Sequence, residues 1–320
     1  MYPMTARRLI AAVVALSLAT LVSACTGAPD RSDEAQRLKT TIESMPGVTS
    51  LTMNYHNDIV QGTILDLDVS MEAATEPQIT DVATKINELR GDLFDEYDRH
   101  LKISVARWAS VNPGNEYDPT DVARTAVLVR AIHARVQARE IRWYGTGSKG
   151  TSSLKIYEAQ APGDAVDAAL RVLDGRRADI EVSPAERVTA PYWSIAGPLT
   201  ANDKRRIDHQ LATLPGPASW VGLRDGVVTT LTLRIPSEAT AYQDLVSAIK
   251  AFEGGPRHPI TLSWALIGDT ATRNEPRWAG TAQIGACGYN ENDATTTKGL
   301  AAHAQLLQQR IRSEFDACPK

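Results

Sequence analysis

Apolar and polar residues alternate in two separate stretches of the chain. A period of two residues is typical of a β-strand that buries one face. The sequence therefore predicts a strand in each stretch, with inward positions at Leu65, Leu67 and Val69 in the first and at Leu231, Leu233 and Ile235 in the second.

The residues around these two strands also correspond. Residues 42–48 read Ile-Glu-Ser-Met-Pro-Gly-Val and residues 211–217 read Leu-Ala-Thr-Leu-Pro-Gly-Pro, so in both a Pro-Gly pair ends a helix before a strand. Apolar residues at helical spacing then predict a second helix in each copy. They are Ile79, Ala83 and Ile86 in one copy and Leu245, Ile249 and Phe252 in the other. A strand closes each copy, at Ile103, Val105 and Trp108 and at Ile260, Leu262 and Trp264.

A more degenerate copy lies between these two. Its predicted elements are a helix through Val122, Val129 and Val136, a hairpin over 141–157, a helix over 166–173 and a strand at Ile180 and Val182. The chain ends with a predicted strand over 281–286 and an amphipathic helix through Leu300, Leu307 and Ile311. We therefore expect three α/β repeats, at 34–110, 119–185 and 188–268, and a C-terminal segment at 269–320.

The order helix, hairpin, helix, strand predicts an α+β fold of tandem ferredoxin-like αββαβ or βαββαβ sandwiches with antiparallel sheets. A strand over 192–196 would complete the third unit. In topology and in the Pro-Gly pair, residues 41–89 resemble heavy-metal-associated domains. Those domains bind metal through a CxxC before the first helix, and neither copy here has cysteines at that place. The resemblance therefore implies a fold and no metal transfer.

The first residues of the chain have the features of an export signal. Two arginines, Arg7 and Arg8, precede an apolar run over 9–21, which is shorter than the ~20 residues that a membrane-spanning helix needs. Residues 22–25, Val-Ser-Ala-Cys, resemble the lipobox of bacterial lipoproteins. The resemblance implies cleavage before Cys25 and attachment of diacylglycerol to its thiol, which would anchor the protein to a lipid bilayer. We expect a signal peptide at 1–24 and a flexible lipidated tether at 25–33; an ordinary signal peptide is the alternative.

Charge and cysteine content narrow the function classes. Without Arg7 and Arg8 the chain has 32 basic and 38 acidic residues, a net charge of about −6, which argues against a nucleic acid partner. With Cys25 assigned to lipid, Cys287 and Cys318 remain in an oxidising compartment, so we expect them to pair. Such a disulfide would contribute about 3 to 4 kcal/mol by the chain-entropy model. Two separate buried thiols are the alternative.

Several short motifs have a structural explanation as well as a functional one. A GxGxxG pattern at Gly145, Gly147 and Gly150 lies between two predicted strands, so we interpret it as a hairpin loop rather than a dinucleotide site. Ser247 and Lys250 form an SxxK without the partner motifs of penicillin-binding proteins.

Histidine, aspartate and tryptophan positions are also explained by structure. We expect His133 and His303 in the apolar stripes of helices and Asp66 and Asp68 on a solvated sheet face. The six tryptophans are expected mostly in the core, whereas an exposed cluster would indicate a binding groove for glycan or peptide.

These observations favour an extracytoplasmic, lipid-anchored lipoprotein of the bacterial cell envelope that binds an envelope protein or a cell-wall partner without catalysis. We expect no cofactor and no metal, since no CxxC or HExxH occurs and the six histidines are scattered. One alternative is a wall-acting hydrolase or transferase whose site is assembled from distant residues. The other is a carrier with a small-ligand pocket at a junction between repeats.

Overall fold

A computed structural model describes residues 28–58, 60–145, 151–186, 190–269, 277–288 and 299–318. The chain divides into two compact units, Met1–Ile103 and Ser104–Lys320. The fold is mixed α/β, as expected, with seven α-helices and twelve strands in the described residues. None of the described helices combines the length and the apolar composition needed to cross a membrane.

The first unit contains two helices and a hairpin. Its elements are α1 (Ser32–Glu43), β1 (Ser50–Asp58), β2 (Gly62–Ser70), α2 (Glu76–Arg90), a 3-10 turn (Gly91–Phe94) and the start of β3 (Asp98–Ala106). β1 and β2 pair antiparallel over their full length. α2 begins at a capping box, in which Thr75 accepts from the backbone of Gln78 and Gln78 accepts from the backbone of Thr75.

The N-terminal segment of this unit is fixed to β1. Tyr55 accepts a hydrogen bond from the backbone of Arg31 at 2.7 Å and donates one to Asp30 at 2.7 Å. Asn57 donates to the carbonyl of Ala28 at 3.0 Å. Since α1 begins at Ser32, the described part of the predicted tether is hydrogen-bonded structure rather than a free linker. Residues 25–27 of the predicted tether lie outside the described residues.

The second unit contains the other nine strands and five helices. Its elements are β4 (Ala109–Asn112), α3 (Pro119–His133), β5 (Glu140–Tyr144), β6 (Ser153–Ala159), α4 (Pro162–Leu173), β7 (Asp179–Pro184), β8 (Tyr192–Ala196), α5 (Ala201–Ala212), β9 (Ala218–Arg224), β10 (Val227–Ile235), α6 (Ala241–Ala251), β11 (Ile260–Leu266), β12 (Ala279–Ile284) and α7 (Ala302–Phe315).

Strands β4 to β12 form one sheet in which each strand pairs with the next along the chain. Pairs joined by a helix are parallel: β4 with β5, β6 with β7, β8 with β9 and β10 with β11. Pairs joined by a hairpin are antiparallel. The prediction of antiparallel sheets is therefore wrong for the helix-linked pairs. A helix returns the chain to the end of the sheet where the preceding strand began, so the next strand runs parallel.

Tandem ferredoxin-like units are not confirmed. A split βαβ unit has a further strand between the two that its helix connects, whereas here each of the four helices α3 to α6 connects two strands that are direct neighbours. The predicted second and third repeats and the C-terminal segment share this one sheet and one compact unit.

The register places the buried apolar positions of neighbouring strands side by side on one face of this sheet. Trp143 lies opposite Leu154, Leu154 opposite Ile180, and Ile180 opposite Ile195, and the pattern continues to β12. These side chains are at most 2% exposed. Together with the buried stripes of the helices they form the core, so the side chains that alternate with them point to the opposite face.

The last helix covers the outer edge of the sheet. Gln308 of α7 accepts from the backbone N–H of Thr281 at 2.8 Å, and Arg312 donates to the Thr281 carbonyl at 2.9 Å. The sulfur atoms of Cys287 and Cys318 lie 2.00 Å apart, which is the separation of a disulfide bond. α7 thus supplies hydrogen-bond partners to backbone groups of β12 that would otherwise be exposed at the edge of the sheet.

Candidate binding face

Two neighbouring rows of outward side chains cross β5 to β12, and we call these two rows the polar face; the outward residues Asp179, Arg224 and Arg234 lie beyond them. The first row crosses the sheet through Arg142, Lys155, Glu181, Ser194, Gly222, Thr230, Thr261 and Gln283. The second row contains the pair Glu140 and Tyr157 and the run Tyr192, Trp220, Thr232, Ser263 and Thr281. The rows place charged residues at one end, aromatic rings in the middle and hydroxyl groups at the other end.

An aromatic pair occupies the middle of the polar face. Tyr192 and Trp220 are register partners on parallel strands, and their rings stack with centroids 4.1 Å apart and planes inclined by 19°. Trp220 is 39% exposed. A Cβ on Gly222 would lie only 2.9 Å from the Cβ of Thr230, so the absent side chain leaves room for Thr230 on the neighbouring strand.

Charged residues continue this pair toward β5. Arg142 donates two hydrogen bonds to Glu140 at 2.7 and 2.8 Å, and its guanidinium lies 5.5 Å from the ring centre of Tyr157. On the neighbouring strands, Lys155 lies 3.1 Å from Glu181. Because these two pairs include every charged side chain of the two rows, the rows carry no net charge.

Hydrogen bonds connect the charged end to the aromatic pair. The hydroxyl of Tyr192 donates to Glu181 at 2.9 Å, so the carboxylate that binds Lys155 also orients the tyrosine ring. Hydrogen bonds to Glu140 and Tyr144 raise the pKa of Arg142. Burial, followed by a hydrogen bond with Tyr144, raises the pKa of Tyr157 to about 12. Arg142 therefore stays charged and Tyr157 neutral at neutral pH.

The β10–β12 end of the polar face presents hydroxyl and amide groups. Thr261 donates to the side chain of Gln283 at 3.0 Å, and the hydroxyls of Ser263 and Thr281 lie 3.2 Å apart. Each of these groups has further donor or acceptor capacity. The arrangement therefore has the chemistry of a binding surface. In the part of the chain that the structure describes, no group of three or more His, Cys, Asp or Glu could hold a metal ion.

The structure describes the two cysteines predicted to pair but not the one predicted to carry lipid. Cys287 and Cys318 are at bonding distance, and α7 lies between them in the sequence. Cys25 lies outside the described residues, so its lipidation stays a prediction.

The short motifs that suggested enzymes belong to ordinary elements. Gly145 directly follows β5, and β5 pairs antiparallel with β6, as the hairpin interpretation predicts. Gly147 and Gly150 lie outside the described residues. Ser247 and Lys250 both lie on the exposed side of α6, and neither residue borders the polar face rows.

The histidine and aspartate predictions had different outcomes. His303 is not part of an apolar stripe: its side chain is 60% exposed and lies 3.0 Å from Glu238, because the buried positions of α7 are Ala304, Gln308 and Ile311. His133 is the half-buried last residue of α3. Asp66 and Asp68 lie on the polar side of β2, as predicted. Asp68 lies 2.7 Å from Lys102, and Asp66 accepts from Asn54.

Four tryptophans are buried, as expected for core residues: Trp143, Trp193, Trp264 and Trp278. Trp108 and Trp220 are exposed. Sequence reasoning did not single out Trp220 or Tyr192. The alternation that identifies the inward residues of a strand such as β10 also implies that the residues between them face outward. It does not give the register in which neighbouring strands pair, so it does not bring Tyr192 and Trp220 together.

Comparison with models of known protein families, with curated proteins and with solved structures finds no match to this chain.

Proposed function

We propose that this protein is a lipid-anchored lipoprotein of the bacterial cell envelope, and that its polar face binds a cell-wall saccharide without catalysing a reaction. The observation that carries the binding role is the exposed Trp220 ring, stacked on Tyr192 among hydroxyl, amide and paired charged groups. Aromatic rings with a polar surround suit ligands that have both apolar and polar faces.

The balanced charge of the two rows supports a neutral polymer as the ligand. Glu140 pairs with Arg142 and Glu181 with Lys155, so neither cation is available to neutralise a polyanion. Nucleic acid binding relies on unpaired basic residues that release counterions. A saccharide needs donors and acceptors instead, and Thr261, Gln283 and Thr281 supply them on the same face as the aromatic pair, two to three strands away.

Repetition supports a modular binding protein. α1–β1–β2–α2–β3 and α5–β9–β10–α6–β11 have the same order of elements. We propose that they are copies of one αββαβ unit, whose sheet is extended in the second unit to give the long polar face. Extracytoplasmic location and anchoring through Cys25 rest on the lipobox resemblance.

The binding role is tested by sedimentation of the mature protein with purified cell-wall saccharide. We expect Trp220→Ala to reduce the bound fraction by about tenfold, because the ring supplies the exposed apolar contact of the face. Trp108→Ala is the matched control, because Trp108 is also exposed, at 64%, and lies outside both rows.

Circular dichroism should show unchanged folding of both variants. Equal loss of binding in Trp220→Ala and Trp108→Ala, or no binding by the unaltered protein, would contradict the proposal. Cleavage of the saccharide during the assay would instead favour the hydrolase alternative.

A further inference from the structure

A cavity of about 690 Å³ lies between α4 and α5, on the helical side of the second unit. We call it the α4–α5 cavity. Its size is within the 300 to 1,000 Å³ range of small-ligand pockets. It opens where β8 ends and α5 begins, and α/β proteins commonly bind ligands outside the carboxyl ends of strands.

The floor of the α4–α5 cavity is apolar. Leu173, Ile180 and Ile195 line it, and each is at most 6% exposed. Half-buried Leu170 and Leu199 extend the apolar lining toward the opening. A ligand that fills this space would therefore bury an apolar part against the sheet and the two helices.

Four arginines surround this apolar floor: Arg171, Arg176, Arg177 and Arg205. Two aspartates also line the cavity, Asp167 and Asp174, so the lining carries a net charge of about +2 at neutral pH. This excess is notable in a chain whose own net charge is −4.

The arginines differ in how far they are already engaged. Arg176 donates to Asp121 at 2.8 Å, and Arg205 donates to Asn202. Arg171 and Arg177 are exposed and have no ion-pair partner among the described residues. Their guanidinium groups are free to bind a carboxylate or phosphate through paired hydrogen bonds.

We infer that the α4–α5 cavity binds an anionic amphiphile, with a carboxylate or phosphate head group at Arg171 and Arg177 and an apolar tail on the Leu173–Ile180–Ile195 floor. Charge complementarity selects the head group and the buried apolar lining selects the tail. This site is separate from the polar face, because its lining comes from helices, from the loops next to them and from inward strand positions.

The test is isothermal titration calorimetry of the full mature chain with four probes. The three amphiphiles among them are kept below their critical micelle concentrations. The probes are decyl phosphate, decanoate, decyltrimethylammonium and inorganic phosphate. We expect decyl phosphate or decanoate to bind, and the tighter of the two identifies the head group. We expect the cationic amphiphile and inorganic phosphate to bind at least about tenfold more weakly, because each lacks one half of the required chemistry.

Two variants localise the binding. Arg171→Gln combined with Arg177→Gln should weaken binding of the anionic amphiphile by about tenfold. Ala201→Trp should block it, because exposed Ala201 lines the opening and a large ring would enter the cavity. Arg257→Gln is the matched control. Arg257 is also exposed, lies in the loop between α6 and β11, and does not line the cavity.

Binding that is unaffected by either cavity variant would overturn the inference. Equal affinity for the cationic amphiphile, or for inorganic phosphate, would do the same, since either result would show that head group or tail is not recognised. Saccharide binding by the cavity variants should stay unchanged, which separates this inference from the proposed function.

Discussion

At the scale of single residues, Gly280 shows how one missing side chain fixes the position of a large one. Gly280 on β12 lies opposite Trp264 on β11, and a Cβ at position 280 would collide with the indole ring. Trp264 is 2% exposed and therefore fills the core beneath the strand pair. The small residue is thus part of the core packing.

We expect Gly280→Ala to lower the free energy of unfolding by about 1 to 3 kcal/mol, because overpacking forces the indole or the backbone to move. Urea denaturation measures it. Gly255→Ala is the control: a Cβ there has no atom within 4 Å, so the change should be neutral or slightly stabilising. Similar losses in both variants would show that the backbone of glycine, rather than the Trp264 contact, is responsible.

Tyr157 gives a prediction about pH at the same scale. Burial and the hydrogen bond with Tyr144 raise its pKa to about 12, from an ordinary value near 10. Because the folded-state pKa is the higher one, the stabilisation from the neutral phenol is fully present below pH 10 and is lost as the pH rises from about 10 to about 12.

Absorbance titration of phenolate should therefore show one tyrosine ionising near pH 12 that is missing from Tyr157→Phe. A difference curve centred near pH 10 would contradict the packing of Tyr157 beside Tyr144 and Arg142.

At the scale of elements, α7 is held to the sheet by side chains and by one covalent bond. Gln308 and Arg312 bond to the backbone of Thr281, and the backbone N–H of Gly285 donates to the Phe315 carbonyl at 2.7 Å. The Cys287–Cys318 pair spans 31 residues of sequence. The covalent bond therefore restricts a substantial loop in the unfolded chain.

We expect Cys287→Ser combined with Cys318→Ser to lower the free energy of unfolding by about 3 to 4 kcal/mol. Hydrogen exchange should accelerate first in α7 and β12, because the contacts of α7 lie at the sheet edge. Reduced wild-type protein is the control and should behave like the double variant. An unchanged melting temperature after reduction would show that the side-chain contacts alone hold the helix.

At the scale of the whole molecule, the first described residues of the first unit are close in sequence to the cysteine that is expected to carry the lipid. The carbonyl of Ala28 is bonded to Asn57, and at most three residue steps separate Ala28 from Cys25. Three extended residues span about 10 Å. If Cys25 carries the lipid, as proposed, the β1–β2 end of the first unit lies within about that distance of the lipid head groups.

We expect mass spectrometry of the membrane-bound protein to find Cys25 as its first residue, modified by diacylglycerol, and Cys25→Ser to release the protein from membranes. A fluorophore at Val60→Cys, on the exposed β1–β2 turn, should be quenched by head-group spin labels. Inserting ten Gly and Ser residues after Thr26 should reduce the quenching. An unmodified Cys25 would contradict the anchor, and quenching that the insertion leaves unchanged would contradict the short reach.

The sequence by itself determined the inward faces of β2 and β10, although Trp108, predicted on the strand that closes the first copy, is exposed and lies beyond β3. Leu65, Leu67 and Val69 on β2 and Leu231, Leu233 and Ile235 on β10 are at most 2% exposed, as their alternation predicts. The pairing of Cys287 with Cys318 was predicted because they are the two cysteines left once Cys25 is assigned to lipid. These inferences depend on local periodicity or on chemical type, which a single sequence records directly.

Only the tertiary structure decided which strands are neighbours and in what register. Parallel pairing of β8 with β9 brings Tyr192 onto Trp220, and no local pattern encodes a contact between residues 28 positions apart. The four arginines of the α4–α5 cavity come from α4, from the loop after it and from α5, so their convergence required helix packing. Strand pairing and helix packing are set by long-range burial, and for that reason both proposed binding sites became visible only in the folded protein.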